Sequence, residues 1–408
     1  MRKAAFVLFA TLATAAAFRA APEPLSVTTA FVLAVVTAMA IHARLSVGRW
    51  ATGAAVMLSG ALLAGLGAPP RLIGSAVIGG LVAAEIVSRR PRRSAVLHAA
   101  AWSAVAAGLV SLSGLALTVP LETDEALREA AGACAGALLS APLVLTFGRP
   151  AESLFGHTSR LTMTEWLGYD HPLLRELAAA APGTFQHSVN VGVLSDAAAR
   201  AINADALLAR VGGLYHDVGK TRAPQYFVEN QRDGNPHDRL DAWESARILR
   251  AHVTDGVDLV TAHGMGDQIA DFVREHHGTG TMKSFLEKAG ASPGRGPAGE
   301  TYRYPGPRPR SRETAVVMMA DQVEATGRAE RPADDAACEQ IVRRTIDRIR
   351  NEGELEDAGL SPGELTAIGS ALARTLAAMH HNRTTLPPVG SPPRIRRFRL
   401  VPRAMLRG

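Results

Sequence analysis

Charge interrupts the first 150 residues so rarely that most folds are closed to them. They hold 18 charged side chains, 12 basic and 6 acidic, against 32 basic and 32 acidic in residues 151–408. Cutting at the charges leaves six windows: Ala4–Phe18, Pro24–Ala43, Trp50–Pro70, Leu72–Ser88, Ser94–Leu121 and Ala130–Gly148. Only Glu85 falls inside one of them. A spanning helix needs roughly 17–25 apolar residues, because lipid offers no partner to a bare backbone. Five windows reach that length, and the first, with 15 residues, is marginal. A single soluble domain and a disordered chain are excluded. A disulfide scaffold is excluded too, since the two cysteines, Cys134 and Cys338, sit in unlike halves.

Loop charges orient the helices. With six spans and the N-terminus inside, the inner loops hold Arg2, Lys3, Arg44, Arg49, Arg89, Arg90, Arg92, Arg93 and Arg149. The outer loops hold only Arg19, Arg71 and Arg128, beside the acidic cluster Glu122, Asp124, Glu125 and Glu129. Nine basic residues against three place residue 151 onward in the cytoplasm, below a multi-pass region in the cell (inner) membrane. The first window also fits a signal peptide, with Arg2 and Lys3 ahead of a short apolar run. Cleavage there would leave five spans and the same cytoplasmic half; an uncleaved helix is the preferred reading. Gly132 and Gly136 form a GxxxG that points to close helix packing. Glu85 is an intramembrane acid, four residues from a basic loop, and snorkelling to the interface is favoured over a functional role.

Residues 151–383 carry helical periodicity throughout, in segments such as "VNVGVLSDAAARAI", "ALLARVGGLYHDVG" and "ETAVVMMADQVEA", without the alternation that marks strands. The fold class expected is therefore all-α: a polytopic transmembrane helical bundle followed by a cytoplasmic all-helical domain. Ala291–Arg310 is a long Pro/Gly-rich interruption, functional or disordered. Residues 384–408 read as a loose Pro/Arg-rich tail, either a basic anchor opposite anionic lipid or an uninvolved end. The chain's net charge of +6 does not point to duplex nucleic acid. It comes wholly from the membrane half, and without the tail the soluble part has 26 basic against 32 acidic residues.

Eleven of the 13 histidines fall after residue 150. His187, His216, Asp217, His252, His276, His277 and Asp321 each lie in or beside an apolar helical segment, where an unpaired polar group is costly. Any one alone reads as a satisfied core residue; seven together point to metal. Imidazole and carboxylate without thiolate suit iron, manganese or zinc. Seven ligands exceed the need of one ion, so two divalent cations sharing a carboxylate is the economical count. Such a pair, roughly 3.5–4 Å apart, clamps a phosphoryl group and activates water.

His…His-Asp…Asp is the signature of HD-domain phosphohydrolases. The words "PGTFQHS", "LARVGGLYHDVGK", "FVENQ", "NPHDRL", "HHGT" and "YRYPGPRPRSRE" make residues 160–350 resemble the PgpH-type seven-transmembrane HD phosphodiesterases. The resemblance implies a cytoplasmic catalytic domain that hydrolyses cyclic di-AMP to linear pApA through a hydroxide bridging two metals, iron or manganese. Carried over by motif, His187, His216, Asp217 and Asp321 hold one ion, and Asp217 bridges to a second held by His252, His276 and His277. Lys220, three residues after Asp217 and on the same face if the helix continues, neutralises the scissile phosphate; a surface ion pair is the plain alternative. His237 and Asp238 fit a turn-capping role equally well, and His263, His380 and His381 read as structural.

Two departures bear on what the resemblance implies. The large extracellular domain common in that family has only Arg19–Pro24 to fill its place. Cyclic di-GMP-type HD domains carry "GYP" after the paired histidines, where this chain reads "HHGTGTMKSF". Another cyclic dinucleotide, a nucleoside polyphosphate, and a silent membrane nucleotide receptor stay open as alternatives. The partners expected are a cyclic dinucleotide and the lipid bilayer, with a homodimer admitted.

Overall fold

The structure, a computed structural model, describes residues 2–20, 25–89, 91–117, 123–232, 234–290 and 301–384. The tail beyond residue 384, residues 291–300 of the Pro/Gly-rich stretch, Arg90 and Glu122 lie outside the described residues. Six helices come first: α1 (Arg2–Ala20), α2 (Leu25–Ser46), α3 (Arg49–Gly65), α4 (Pro70–Arg89), α5 (Arg93–Leu117) and α6 (Thr123–Phe155). Four of them, α2, α4, α5 and α6, are long and apolar enough to cross a membrane. The third stops short of its charge-free window. The chain turns at Gly67, with φ 81°, and Pro70 opens the next helix at a position where proline's missing N–H costs nothing.

The bundle is apolar on its surface as well as in its interior. Leu58, Leu97, Trp102, Leu109, Leu139 and Phe147 are among its exposed apolar side chains, and among the described residues only four exposed large hydrophobics lie beyond it. An apolar surface of this extent, on helices of spanning length, fits a lipid environment. Helix α2 is packed against α4 and α6. The contact with α6 runs through Gly132 and Gly136, where a Cβ would overlap the carbonyl oxygens of Ser26 and Ala30. Glu85 is exposed and pairs with Arg89 at 3.2 Å, beside the basic loop.

Ten α-helices follow among the described residues: α7 (Arg160–Trp166), α8 (Pro172–Ala180), α9 (Pro182–Ala201), α10 (Ala206–Tyr215), α11 (Ala242–Ala262), α12 (Gly266–Glu275), α13 (Lys283–Lys288), α14 (Arg312–Glu330), α15 (Asp335–Asn351) and α16 (Pro362–Thr384). Side-chain caps start several of them where the sequence turns polar: Asp205 on α10, Asp241 on α11, Ser311 on α14 and Asp334 on α15. Among the described residues no strand forms, only the isolated bridge Thr281–Arg303. Helices α9, α10 and α14 converge at the centre, with Val191, Leu194, Tyr215 and Met318 fully buried. The two regions meet where Arg93 pairs with Glu165 at 2.7 Å and Arg149 lies over the Trp166 ring.

The α2–α6 contact tolerates no added side chain. Overpacking costs about 1–3 kcal/mol or more when backbone must move. Gly136→Leu should therefore lower the thermal stability of the detergent-solubilised protein by several degrees. Gly53→Leu, which faces open space, should leave it unchanged.

Candidate metal centre

Five elements deliver the seven candidate ligands to one point. His187 lies one turn into α9, His216 and Asp217 follow α10, and His252 is mid-α11. His276 and His277 follow α12, and Asp321 lies in α14. Two close approaches make this convergence fit. Gly213 on α10 crosses Gly192 on α9, leaving no room for a Cβ, and a Cβ on Gly219 would strike the His252 carbonyl. Larger residues there would push the helices, and their histidines, apart.

The ligand atoms form two groups, Asp217 with His252, His276 and His277, and His187 with His216 and Asp321; within each they lie within 4.8 Å of one another. Asp217 faces both. Its Oδ1 is 3.5 Å from both His252 Nε2 and His276 Nε2. Its Oδ2 is 3.3 Å from His216 Nε2 and 3.6 Å from His187 Nε2. Asp321 Oδ1 lies 3.0 Å from His187 Nε2, and its Oδ2 lies 3.9 Å from His277 Nδ1.

The rings are oriented from behind. Nδ1 of His216 and His276 donates to the carbonyls of Gly213 and Val273, at 2.8 and 2.9 Å, and Nδ1 of His252 donates to that of Leu249. Each donation turns Nε2 inward, so that loss of the proton from that nitrogen would present the lone pair a metal ligand requires. His187 Nδ1 instead meets the Glu324 carboxylate, which Asn190 also holds at 3.0 Å. His216 Nε2 and Asp217 Oδ1 are buried without a hydrogen-bond partner. Buried orphans of this kind are rare unless something else satisfies them. Nitrogen and oxygen donors around a shared carboxylate fit two divalent cations.

The protein's own charges are strongly coupled. Burial works against charge on His187, but hydrogen bonds to Asp321 and Glu324 outweigh it and hold the imidazole up at about 9. Burial likewise opposes charge on His216, and Asp217 lifts it to about 10. His252 is pushed down to about 3, chiefly by burial, and His277 falls well below its ordinary value through burial and His276. Burial would raise both aspartates, but Lys220 and His216 hold Asp217, and His187 and His216 hold Asp321, well below the usual carboxylate range.

Lys220 sits at the same point by a different route from the one expected. The helix does not continue: α10 ends at Tyr215, and Val218–Arg222 is a 3₁₀ turn. Residues three apart eclipse in such a turn, so Lys220 Nζ still lies 2.6 Å from Asp217 Oδ2. It is not a surface pair: its side chain is 12% exposed, and a second carboxylate, Glu229, holds it at 3.0 Å. His237 stays out of the clusters. Its Nε2 donates to the Tyr226 carbonyl, 3.0 Å away, within a turn capped by Asn235. His263 bonds the Leu259 carbonyl and is likewise apart.

Sequence reasoning passed over four neighbours of the site. Glu324 and Asn190 each lie three residues beyond a candidate ligand, so helical spacing alone could have flagged them. Glu229 in "FVENQ" accepts from Thr184 at 2.9 Å as well as from Lys220. Tyr304 in "YRYPGP" stacks on His277 at 4.1 Å between ring centroids. Only the folded chain brings these two in.

Residues 184–326, which hold all seven candidate ligands, match the family described as HD domain. Over 237 residues it is 40% identical to the cyclic-di-AMP phosphodiesterase PgpH of Bacillus subtilis (strain 168), covering 58% of this chain and 33% of that protein. PgpH of Listeria monocytogenes serotype 1/2a (strain 10403S) is 37% identical over 238 residues, with the same coverage. The crystal structure of the L. monocytogenes PgpH HD domain in complex with cyclic-di-AMP is 38% identical. It covers 52% of this chain and 99% of that one, with a TM-score of 0.49. Over this region the chain resembles proteins named cyclic-di-AMP phosphodiesterase PgpH. The match spans about a third of the length of the two curated PgpH proteins.

A carboxylate behind a ligand imidazole fixes its orientation and raises its basicity, and its loss typically costs about 10–100-fold in metal affinity. Glu324→Gln should weaken manganese binding by about that factor in a metal titration, while the melting temperature stays near that of the parent. Unchanged affinity would show that His187 needs no such support.

Proposed function

We propose that the chain is a membrane-anchored phosphodiesterase that hydrolyses cyclic di-AMP to linear pApA. The observation that carries the reading is the pair of ligand clusters sharing Asp217, in a region homologous to proteins named cyclic-di-AMP phosphodiesterases. His187, His216, Asp217 and Asp321 would hold one divalent cation, and Asp217, His252, His276 and His277 the other. Iron and manganese suit this donor set. Bound there, two cations supply water activation and neutralisation of phosphate charge.

The chain's own residues do the positioning. Asp217 presents one oxygen to each cluster, which fixes the spacing of the site. Lys220 has two of its three ammonium donors committed, to Asp217 and Glu229, and we assign the third to a non-bridging oxygen of the scissile phosphate. There it offsets the charge that builds as the bond to the 3′ oxygen breaks. One water adds across that bond, leaving a 5′ phosphate on one nucleotide and a 3′ hydroxyl on the other. The excess of basic residues on one side of the spans supports a cytoplasmic HD domain.

The test uses the full chain in detergent, loaded with manganese or iron and offered cyclic di-AMP, cyclic di-GMP and nucleoside polyphosphates side by side. The expected result is preferential conversion of cyclic di-AMP to pApA, abolished by a chelator. Asp217→Asn should reduce turnover by about a hundredfold or more while cyclic di-AMP still binds. Preferential turnover of a nucleoside polyphosphate would overturn the substrate. Binding of cyclic di-AMP without turnover by the metal-loaded protein would make it a receptor.

A further inference from the structure

A second cavity, of about 560 Å³, opens where the helical bundle meets the HD domain. The C-terminal end of α2 supplies Arg44 and Ser46, the end of α4 supplies Ser88, Thr158 comes from the chain leading into α7, and Arg160 is that helix's first residue. Its charge is unbalanced. Arg160 pairs with Asp205, also in the wall, at 3.5 Å. Arg44 is half-buried and pairs with no carboxylate among the described residues. Arg92, exposed on the loop whose Pro91 lines the same cavity, adds a further positive charge nearby. A half-buried guanidinium gives up hydration and needs an anion to replace it.

Phe6, Leu45, Val47, Val87 and Met163 give the cavity an apolar part of its wall. Phe6 of α1 forms part of the wall and lies in a ring cluster with His42, His157 and Phe155, at centroid distances of 5.3–6.3 Å. The next turns of α1 expose Leu8, Phe9 and Leu12 on the bundle's outer surface. A cation with no carboxylate partner beside hydroxyls, and an apolar path from Phe6 through Phe155 to the exposed Phe9, have the chemistry of a site for one amphiphile.

We propose that this cavity binds the phosphate headgroup of an anionic phospholipid, with its acyl chains lying along α1. The source is a lipid rather than a free phosphate ester because the apolar track would serve nothing in a soluble anion. Arg44 is the principal donor to the phosphate, with the Ser46 and Thr158 hydroxyls beside it. The placement matters for the enzyme: Asp205 is also the N-cap of α10, accepting from Leu208 N at 3.2 Å, and α10 delivers His216 and Asp217. A phosphate drawing Arg160 away from Asp205 would therefore act on the helix that ends at the metal centre.

The full chain in neutral detergent is titrated with fluorescent phosphatidylglycerol, with phosphatidylcholine and inorganic phosphate as competitors. Saturable binding is expected that neither phosphatidylcholine nor millimolar phosphate displaces. It should weaken about tenfold in Arg44→Gln and persist in Arg44→Lys, with all three proteins melting alike. Equal competition by phosphatidylcholine, or parental binding by Arg44→Gln, would overturn the site. Full displacement by inorganic phosphate would reassign it to a soluble phosphate ester and overturn the lipid.

Discussion

The HD half of this chain is arranged around one buried carboxylate. Asp217 is 1% exposed, and each of its oxygens faces a different set of imidazoles. A lone carboxylate in such a place would neutralise itself or unfold its surroundings. It stays ionised because Lys220 and His216, with a hydrogen bond from His276, compensate it. That demand explains the packing: five elements must reach within a few ångströms of one side chain, and glycine at 192, 213 and 219 lets them approach.

The lysine binds this core to a further segment. Glu229 accepts from both Lys220 and Thr184, while Asn230 caps the start of α9 through the N–H groups of Gly183 and Thr184. The helix carrying His187 and the turn carrying Lys220 are thereby held by neighbouring residues of "FVEN". A change at Glu229 would reach both. On the opposite side Tyr304 covers His277, and Arg310 ties the same stretch to Glu275 at 2.8 Å. The second half of the Pro/Gly-rich interruption is thus part of the site wall.

Much of this was legible in the residues because of a mismatch of chemistry with setting. Histidine and aspartate inside apolar helical words are conspicuous, and so are charge-free windows of spanning length. The GxxxG at Gly132 was legible for the same reason, since small residues at helical spacing have one main use in lipid. What was not legible depended on how the backbone ends its elements. The stop of α3 at Gly65 and the 3₁₀ turn under Lys220 are set by a positive φ and by a close approach, neither of which periodicity registers. Glu229 and Tyr304 owe their place to loops, whose paths only tertiary contacts determine.

The central claim is that Asp217 joins two cations into one centre. Manganese(II) titration of the full chain, followed by electron paramagnetic resonance, tests it directly. The account predicts that two equivalents bind and that the second converts the isolated six-line spectrum into that of an exchange-coupled pair. Two equivalents giving only the sum of two isolated six-line spectra would contradict it, because the carboxylate would then bridge nothing.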